Sequence, residues 1–337
     1  GYWTKLCVIW KRVNVLVTGA AGFIGFHISK RLLQSGYRVY GLDNFSSFYD
    51  VCLKRDRLKE LEGVPGELNF EELDLLDTDA LSSFLKVAKP DCIIHLAAQA
   101  NVRYSIEHPV DVINNNILSF MHLLEQARLF SVGHLVYASS SSVYGNNKDI
   151  PFKTTDNVDY PVSMYAASKK SNELMAHVYS SLYNIPSTGL RFFTVYGPWG
   201  RPDMSTFLFS KAIFEGKPIK LFNYGRHRRD FTYINDVVEG LVKVLNQPPE
   251  RNGQAPYALY NIGNNKPIEL LDFVHVLEDI IGKKAITEGV PMQPGDVAET
   301  YADINDLVSN FDYQPSTNIQ SGIKKFVTWY KAYYGYK

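Results

Sequence analysis

Tyr165 and Lys169 are two residues whose types and spacing could perform chemistry. Residues four apart lie on the same face of a helix, so the lysine ammonium could approach the tyrosine phenol. A neighbouring positive charge lowers the pKa of a phenol, and a phenolate can remove a proton from a substrate hydroxyl near neutral pH. The same spacing at Tyr333 and Lys337 is interpreted as coincidence, because short motifs recur by chance.

Four consecutive serines at residues 139–142 follow a short apolar run that is typical of a buried strand. Ligands of open α/β sheets bind at the carboxyl ends of the strands, which is where these hydroxyls would lie. The alternative is an ordinary serine-rich loop. The position of Tyr165 shortly after this cluster favours a catalytic role for both.

A glycine-rich segment at residues 19–25 joins a predicted strand to a predicted helix. Gly19 could take the tight turn, Gly22 would let a pyrophosphate approach the backbone, and Gly25 would let the helix lie close to the sheet. The helix N-terminus would then face the phosphates. Asp43 ends the next strand, where a carboxylate can accept both hydroxyls of an adenosine ribose and repels a 2′-phosphate. These features predict a dinucleotide site that prefers NAD to NADP.

The elements that position these residues alternate between strand and helix as far as Arg191. Runs that are apolar almost throughout, typical of a parallel sheet buried on both faces, occur at residues 13–17, 38–42, 68–73, 92–96, 135–138 and 187–191. Helical spacing occurs at residues 23–35, 78–87, 110–130 and 165–183. This alternation predicts an α/β fold with a doubly wound, Rossmann-like parallel sheet.

The pattern changes after Arg191, where loops rich in proline and glycine begin. Further helices are predicted at residues 237–245, 270–281 and 319–334, and a strand at residues 257–262 is expected to return to the main sheet. We therefore expect two interleaved units. Residues 13–195 plus about 231–262 would form an NAD-binding domain, and residues 196–230 plus 263–337 a smaller α/β lobe for the substrate.

Composition narrows the classes of partner. The 337 residues include 35 Lys and Arg against 35 Asp and Glu, so the formal net charge is zero and neither nucleic acid nor a membrane is an expected partner. Cys7, Cys52 and Cys92 give neither a disulfide framework nor a metal motif, which fits a reducing, cytoplasmic location and no metal. The apolar run at residues 6–10 is too short for a signal sequence.

The motifs together resemble the nucleotide-sugar epimerase group of the extended short-chain dehydrogenases/reductases. The resemblance covers residues 13 to about 333 and rests on TGAAGFIG at 18–25, ASSSSVYG at 138–145, YAASKK at 165–170 and RDFTYIND at 229–236. Within that group the chain is most similar to UDP-glucuronate 4-epimerases, above all over residues 164–204 and 292–304. It departs from the pattern at Asn101, where glycine is usual, and in the basic segment 227–231.

The resemblance implies roles for individual residues. Ser140, Tyr165 and Lys169 would be catalytic. The expected cofactor contacts, besides Tyr165 and Lys169, are Gly19, Gly22, Phe23, Ile24, Gly25, Asp43, Asn44, Asp74, Leu75, Leu96, Ala97, Ala98, Gln99 and Asn115. Residues 96–99 would form one wall of the cofactor site, and Asn115 would support that wall. The expected substrate contacts are Ser140, Ser141, Ser142, Thr194, Arg201, Arg229 and, more weakly, Arg103.

The implied reaction is oxidation of UDP-glucuronate to a 4-keto sugar by bound NAD, rotation, and reduction on the opposite face to UDP-galacturonate. A decarboxylase or dehydratase of this superfamily usually has an acidic residue where this chain has Ser142, which favours the epimerase. A 4-epimerase of a neutral UDP-hexose or UDP-N-acetylhexosamine is the main alternative, and a non-catalytic NAD(H)-binding protein is another. The family also implies a homodimer formed by the helices at 110–130 and 165–183.

Overall fold

The computed structural model describes residues 12–337, so Cys7 and the apolar run at residues 6–10 lie outside the described residues. The strands are β1 Asn14–Thr18, β2 Arg38–Asp43, β3 Glu67–Glu72, β4 Cys92–His95, β5 His134–Ser140, β6 Ser187–Phe192, β7 Thr194–Tyr196, β8 Pro218–Phe222, β9 Arg228–Tyr233, β10 Tyr257–Ile262, β11 Pro267–Glu269 and β12 Ile286–Val290. The α-helices are α1 Phe23–Gln34, α2 Val51–Glu62, α3 Thr78–Ala88, α4 Val102–Glu107, α5 Pro109–Ile113, α6 Ser119–Leu129, α7 Met164–Tyr183, α8 Ser205–Glu215, α9 Ile234–Leu245, α10 Leu270–Ile281, α11 Asn305–Phe311 and α12 Ile319–Tyr334.

Seven of these strands form one parallel sheet in the order β10-β6-β5-β4-β1-β2-β3. The predicted doubly wound sheet is therefore confirmed, and so is the return of β10, which pairs in parallel with β6. The order reverses between β1 and β4, and at such a switch point the connections that leave the carboxyl ends of the two strands run to opposite sides of the sheet and leave a crevice.

The hydrophobic core lies on both faces of this sheet, because successive side chains of a strand point to opposite sides. Val15 and Val17 of β1 belong to the cluster that includes residues of α1 and α9. Leu16, between them, belongs to a second cluster with residues of α3, α6 and α7. Edge strand β3 is mostly exposed, unlike the nearly continuous apolar strands of the sheet centre.

Two smaller sheets stand apart from the main one, a three-stranded sheet of β11, β9 and β7 and a parallel pair of β12 and β8. Neither these strands nor α2 and α8 were among the predicted elements. The sequence of α2 is mostly charged or polar, so it lacks the apolar stripe on which a helix prediction depends.

The predicted single helix at residues 110–130 is wrong in detail. Its backbone is α-helical in α5, π-helical over Asn114–Leu118, and α-helical again in α6. A π-helical turn inserts an extra residue into the helix and redirects the side chains on either side of it. Of the three consecutive asparagines in this turn, residues 114–116, Asn116 is the one that is buried.

No helix within residues 12–337 has the length and apolar character needed to cross a membrane. Within the same residues, no three or more His, Cys, Asp or Glu side chains are grouped so that they could hold a metal ion.

Candidate active site

One cavity of about 1030 Å³ lies at the carboxyl ends of the central strands, and every predicted catalytic, cofactor and substrate residue lines it. Other parts of its wall come from residues that follow β6 in the chain, including Asp203, Phe209, Lys220 and Asp296. The volume exceeds that of a usual pocket for one drug-sized molecule, about 300–1000 Å³. The cavity is therefore at the upper end of the size range of ligand pockets.

The glycine loop leaves no space for side chains. Gly19 has a φ of 68°, and a Cβ there would lie 2.9 Å from the amide nitrogen of Ala97. A Cβ on Gly25 would lie 1.9 Å from the carbonyl oxygen of Gly19, so α1 could not approach the loop as it does. No side chain caps the N-terminus of α1, which begins after Gly22. Its first N–H groups therefore remain available to an anion in the cavity.

Asp43 is buried at the end of β2 and is held by two backbone groups. Its Oδ2 accepts a hydrogen bond from the amide of Ala21 at 3.1 Å, and its Oδ1 one from that of Phe45 at 2.9 Å. A carboxylate has about four acceptor sites, so both oxygens can still accept hydroxyl groups. The side chain of Asn44 donates a hydrogen bond to that of Asp74 at 3.2 Å. Both residues were predicted to contact the adenosine, and this bond holds them together.

The wall formed by residues 96–99 is supported by Asn116, not by Asn115 as expected. Asn116 accepts a hydrogen bond from the amide of Gln99 at 2.8 Å and donates to its carbonyl oxygen at 3.1 Å. Asn115 lines the cavity and donates to the carbonyl oxygen of Asp111. The π-helical turn displaces the register by one residue, which no sequence pattern indicated.

The start of the same wall is held by Thr18. Its hydroxyl accepts hydrogen bonds from the amides of Leu96 and Ala97, at 3.0 and 3.1 Å, and lies 2.7 Å from Nδ1 of His95. Burial lowers the pKa of His95 to about 3, so the imidazole is neutral and its Nδ1 can accept a hydrogen bond from the Thr18 hydroxyl. Thr18 and His95 were not predicted to act, although Thr18 is in the motif at residues 18–25.

Ser140, Tyr165 and Lys169 converge at the end of β5. Ser140 is the last residue of the strand, and the amide of Ser142 donates to its hydroxyl at 3.1 Å. The ammonium of Lys169 donates to the carbonyl oxygen of Ala138 at 3.0 Å and lies 5.8 Å from the centre of the Tyr165 ring. Desolvation lowers the pKa of Lys169 to about 8.

The expected low pKa of Tyr165, caused by the Lys169 ammonium, is not found in this structure. Removal from water raises the pKa of Tyr165. The groups that oppose this rise are the Arg201 guanidinium and a hydrogen bond with Ser140, while the Asp203 carboxylate adds to it. The Lys169 ammonium donates to the carbonyl oxygen of Ala138 and not to the phenol.

The three predicted arginine contacts differ in their surroundings. Arg201 and Arg229 are mostly buried and are paired with carboxylates of this chain, Arg201 with Asp203 at 2.5 Å and Arg229 with Asp296 at 3.0 Å. Arg103 lies at the rim with 66% of its side chain exposed, 3.6 Å from Glu107. Arg201 and Arg229 thus enter the cavity already oriented, whereas Arg103 is held only by a surface pair.

A buried ion pair behind the serine cluster was not predicted. Glu173 of α7 binds Arg191 of β6 through two hydrogen bonds of 2.9 and 2.7 Å and accepts a third from Ser139 at 2.6 Å. Glu173 lies one helical turn after Lys169, so this pair ties α7 to the strands that carry the catalytic candidates. The one sign of this ion pair in the sequence was Arg191, a charged residue in a predicted strand of the buried sheet.

Comparison with known proteins agrees with this geometry. Residues 15–263 match the model of the NAD dependent epimerase/dehydratase family. The chain belongs to this family. It is 49% identical to the protein CapI of Staphylococcus aureus, over 96% of this chain and 99% of that one. It is 44% identical to a probable UDP-glucuronate 4-epimerase of Rhizobium meliloti, over 96% and 98% of the two chains.

A solved structure is also similar over nearly the whole chain. The UDP-glucuronic acid 4-epimerase of Bacillus cereus, in complex with UDP-glucuronic acid and NAD, superposes with a TM-score of 0.88 at 35% identity. The similarity covers 95% of this chain and 99% of that chain.

The residues of this chain fit the dinucleotide that the family uses. The backbone at Gly19 and Gly25 is too close to neighbouring backbone for any Cβ, and the N-terminus of α1 has no side-chain cap. Asp43 would meet a ribose with its carboxylate and would repel a 2′-phosphate. These observations favour NAD over NADP.

Proposed function

We propose that this protein is a UDP-glucuronate 4-epimerase that interconverts UDP-glucuronate and UDP-galacturonate with bound NAD. The observation that carries the proposal is the single cavity in which Ser140, Tyr165 and Lys169 lie between the glycine loop and two buried arginines. The relatives named UDP-glucuronate 4-epimerase support the same substrate.

In this proposal the chain supplies acid–base and orienting groups. Tyr165 takes the proton of the C4 hydroxyl and later returns it. Ser140 donates a hydrogen bond to the C4 oxygen, which becomes a ketone. Lys169, which lines the same cavity, would hold a ribose hydroxyl of the cofactor. NAD, which the glycine loop and Asp43 would hold, would supply the hydride acceptor for the oxidation at C4 and the hydride donor for the reduction.

The tyrosine base is set up by charges on the substrate side of the cavity. Arg201 lowers the pKa of Tyr165 by its positive charge, and Ser140 lowers it by its hydrogen bond. A base works best when its pKa is near the operating pH. We infer that both residues act on catalysis through the phenol as well as through the sugar.

The intermediate must not lose carbon dioxide. A 4-keto uronate is a β-keto acid, and decarboxylation is fast when the carboxylate bond stands perpendicular to the ketone plane. Ser141, Ser142 and Thr194 line the cavity and offer neutral hydroxyls, which can hold a carboxylate away from that geometry. No acidic side chain stands at residues 141 and 142 to relay a proton for elimination.

The main alternative remains a 4-epimerase of a neutral UDP-sugar. The test is to incubate the purified protein separately with UDP-glucuronate, UDP-glucose and UDP-N-acetylglucosamine and to separate the products. The proposal expects UDP-galacturonate as the main product and slower conversion of both neutral sugars. Faster conversion of a neutral sugar would contradict the choice of substrate, and UDP-pentose with carbon dioxide would indicate a decarboxylase.

Thr194→Ala gives a second, internal test of the uronate assignment. Losing a hydrogen bond to a charged group of about 1.5–3 kcal/mol weakens binding roughly 10–100-fold. UDP-glucuronate binding should therefore weaken more than that of UDP-glucose, and carbon dioxide release per epimerisation should rise. Unchanged binding and no extra carbon dioxide would show that Thr194 does not hold the carboxylate.

We also propose that two copies of the chain pair through α6 and α7. These neighbouring helices carry exposed apolar side chains, of which Leu129, Leu174, Val178 and Leu182 are 61%, 57%, 48% and 67% exposed. Two copies related by a two-fold axis would bury these side chains in a four-helix bundle. Sedimentation of the wild type and of Leu182→Glu measures this. The wild type should be a dimer and the variant a monomer, whereas a monomeric wild type would contradict the pairing.

A further inference from the structure

Asn101 has a backbone conformation that residues with a side chain rarely adopt. Its φ is 144° and its ψ is 112°, just before α4 begins. This region favours glycine, because a Cβ crowds the neighbouring backbone there. A side chain kept in such a conformation costs stability and indicates that the surroundings hold it in place. The group that a glycine would lack is the carboxamide.

The carboxamide of Asn101 has two partners. Its Oδ1 accepts a hydrogen bond from the amide of Tyr104 at 2.9 Å and caps α4. Its Nδ2 donates to Oδ2 of Asp203 at 3.1 Å, across 102 residues of sequence. A glycine at a helix N-cap costs only a few tenths of a kcal/mol relative to asparagine. The bond to Asp203 is therefore the more specific contribution.

Asp203 in turn fixes Arg201. Nε of Arg201 donates to Oδ1 at 3.0 Å and Nη2 donates to Oδ2 at 2.5 Å, so the carboxylate and the guanidinium face each other through two parallel bonds. Nη2 also donates to the carbonyl oxygen of Ala100 at 3.3 Å. Because a bidentate pair has one geometry, any tilt of the Asp203 carboxylate tilts Arg201 with it.

The amide of Asn101 suits this task because it carries no charge. Burial would raise the pKa of Asp203, but Arg201 and Asn101 together keep that pKa below its ordinary value. Asp203 thus stays ionised and bound to Arg201. A lysine in place of Asn101 would compete with Arg201 for the carboxylate, and an acidic residue would repel it.

We propose that Asn101 is a positioning residue for substrate binding, whose carboxamide fixes Asp203 and, through it, the guanidinium of Arg201 at the substrate end of the cavity. The inference rests on the proposed function in one respect, namely that Arg201 meets the negative charge of the substrate. A group held in place before binding adds affinity because less freedom is lost when the substrate enters.

The test uses Asn101→Gly in the full chain with its cofactor. The glycine removes an unfavourable conformation, so thermal stability should stay equal or rise. The KM for UDP-glucuronate should nevertheless rise about three- to tenfold, as expected for one hydrogen bond, with kcat within about twofold. Asn101→Asp keeps the cap of α4 but faces Asp203 with a second carboxylate, and should raise KM at least as much. Asn265→Gly is the matched control, since Asn265 is an exposed residue with a φ of 57° outside the cavity.

A double-mutant cycle separates the route through Arg201 from a general structural effect. In the Arg201→Ala background, Asn101→Gly should cause no further rise in KM. An unchanged KM in Asn101→Gly beside an active wild type would overturn the positioning role alone. An equal rise in both backgrounds would overturn the route through Arg201. A wild type that neither binds nor converts UDP-glucuronate would overturn the proposed function, and the role of Asn101 with it.

Discussion

Replacing Lys169 with methionine should stabilise the cofactor-free protein at neutral pH and abolish turnover. Burial lowers the pKa of Lys169 from 10.5 to about 8. At 1.36 kcal/mol per pKa unit, keeping this lysine charged in the folded protein costs about 3 kcal/mol at pH 7. Methionine has a similar length and no charge, but it leaves the carbonyl oxygen of Ala138 without its donor, which costs about 1–3 kcal/mol. We expect a net gain of about 1 kcal/mol.

The pH dependence of this gain is the sharper observable. The unfolded chain keeps the lysine proton up to a pKa of 10.5, whereas the folded protein releases it near pH 8. Between these values the unfolded state binds more protons, so the wild type becomes more stable as pH rises. The advantage of Lys169→Met should therefore shrink by about 3 kcal/mol between pH 8 and pH 10.5 and change sign.

Urea unfolding of both proteins at pH 7, 8, 9 and 10 measures this difference, because pH effects common to both proteins cancel. Lys170→Met, in which the lost lysine is only half-buried, is the matched control on the same helix. A difference between Lys169→Met and wild type that stays constant with pH would refute the assignment of the low pKa to burial of Lys169.

Three further predictions concern the reaction. Tyr165→Phe should keep the fold and the cofactor but lose about 10²–10⁴-fold in kcat, the usual contribution of a general base. Ser140→Ala should lose about 10²–10³-fold in kcat, as expected for one oxyanion donor. Near-wild-type turnover in either variant would contradict the role of that residue. In profiles of kcat/KM against pH, Arg201→Ala should move the acid limb to higher pH, because Arg201 lowers the pKa of Tyr165. Asp203→Asn should move it to lower pH, because Asp203 raises that pKa. Shifts of the two variants in the same direction would contradict these assignments. Purified protein should release NAD(H) on denaturation. Asp43→Asn should reduce the preference for NAD over NADP roughly tenfold, or by about 1.4 kcal/mol, as measured by cofactor titration. An unchanged ratio of the two affinities would show that Asp43 does not select the cofactor.

The main sheet could be predicted because its signal is local. Strands such as β1 and β5 are continuous apolar runs, and the glycine loop between β1 and α1 has a spacing that the backbone geometry requires. The serine cluster and Tyr165 were placed at one edge by the general rule for parallel sheets. The other predicted site residues came from the resemblance to known epimerases, and all of the predicted site residues line one cavity.

The features that escaped prediction depend on long-range packing. The choice of Asn116 over Asn115 follows from a π-helical turn. The pKa of Tyr165 depends on burial and on Arg201 and Asp203, which follow β7 in the chain. The pairing of Glu173 with Arg191 joins a helix to a strand that follows it. None of these relations has a period or spacing in the sequence. The domain boundaries and the dimer remain predictions.

The central claim is tested most directly with UDP-glucuronate that carries deuterium at C4. If the C4 hydrogen leaves as a hydride, is kept on bound NAD and returns to the same carbon, UDP-galacturonate should form with the deuterium retained at C4, and mass spectrometry or proton NMR measures this retention. Retention that is essentially complete in ordinary water is the predicted result. Loss of the label to solvent, or no UDP-galacturonate at all, would contradict the account.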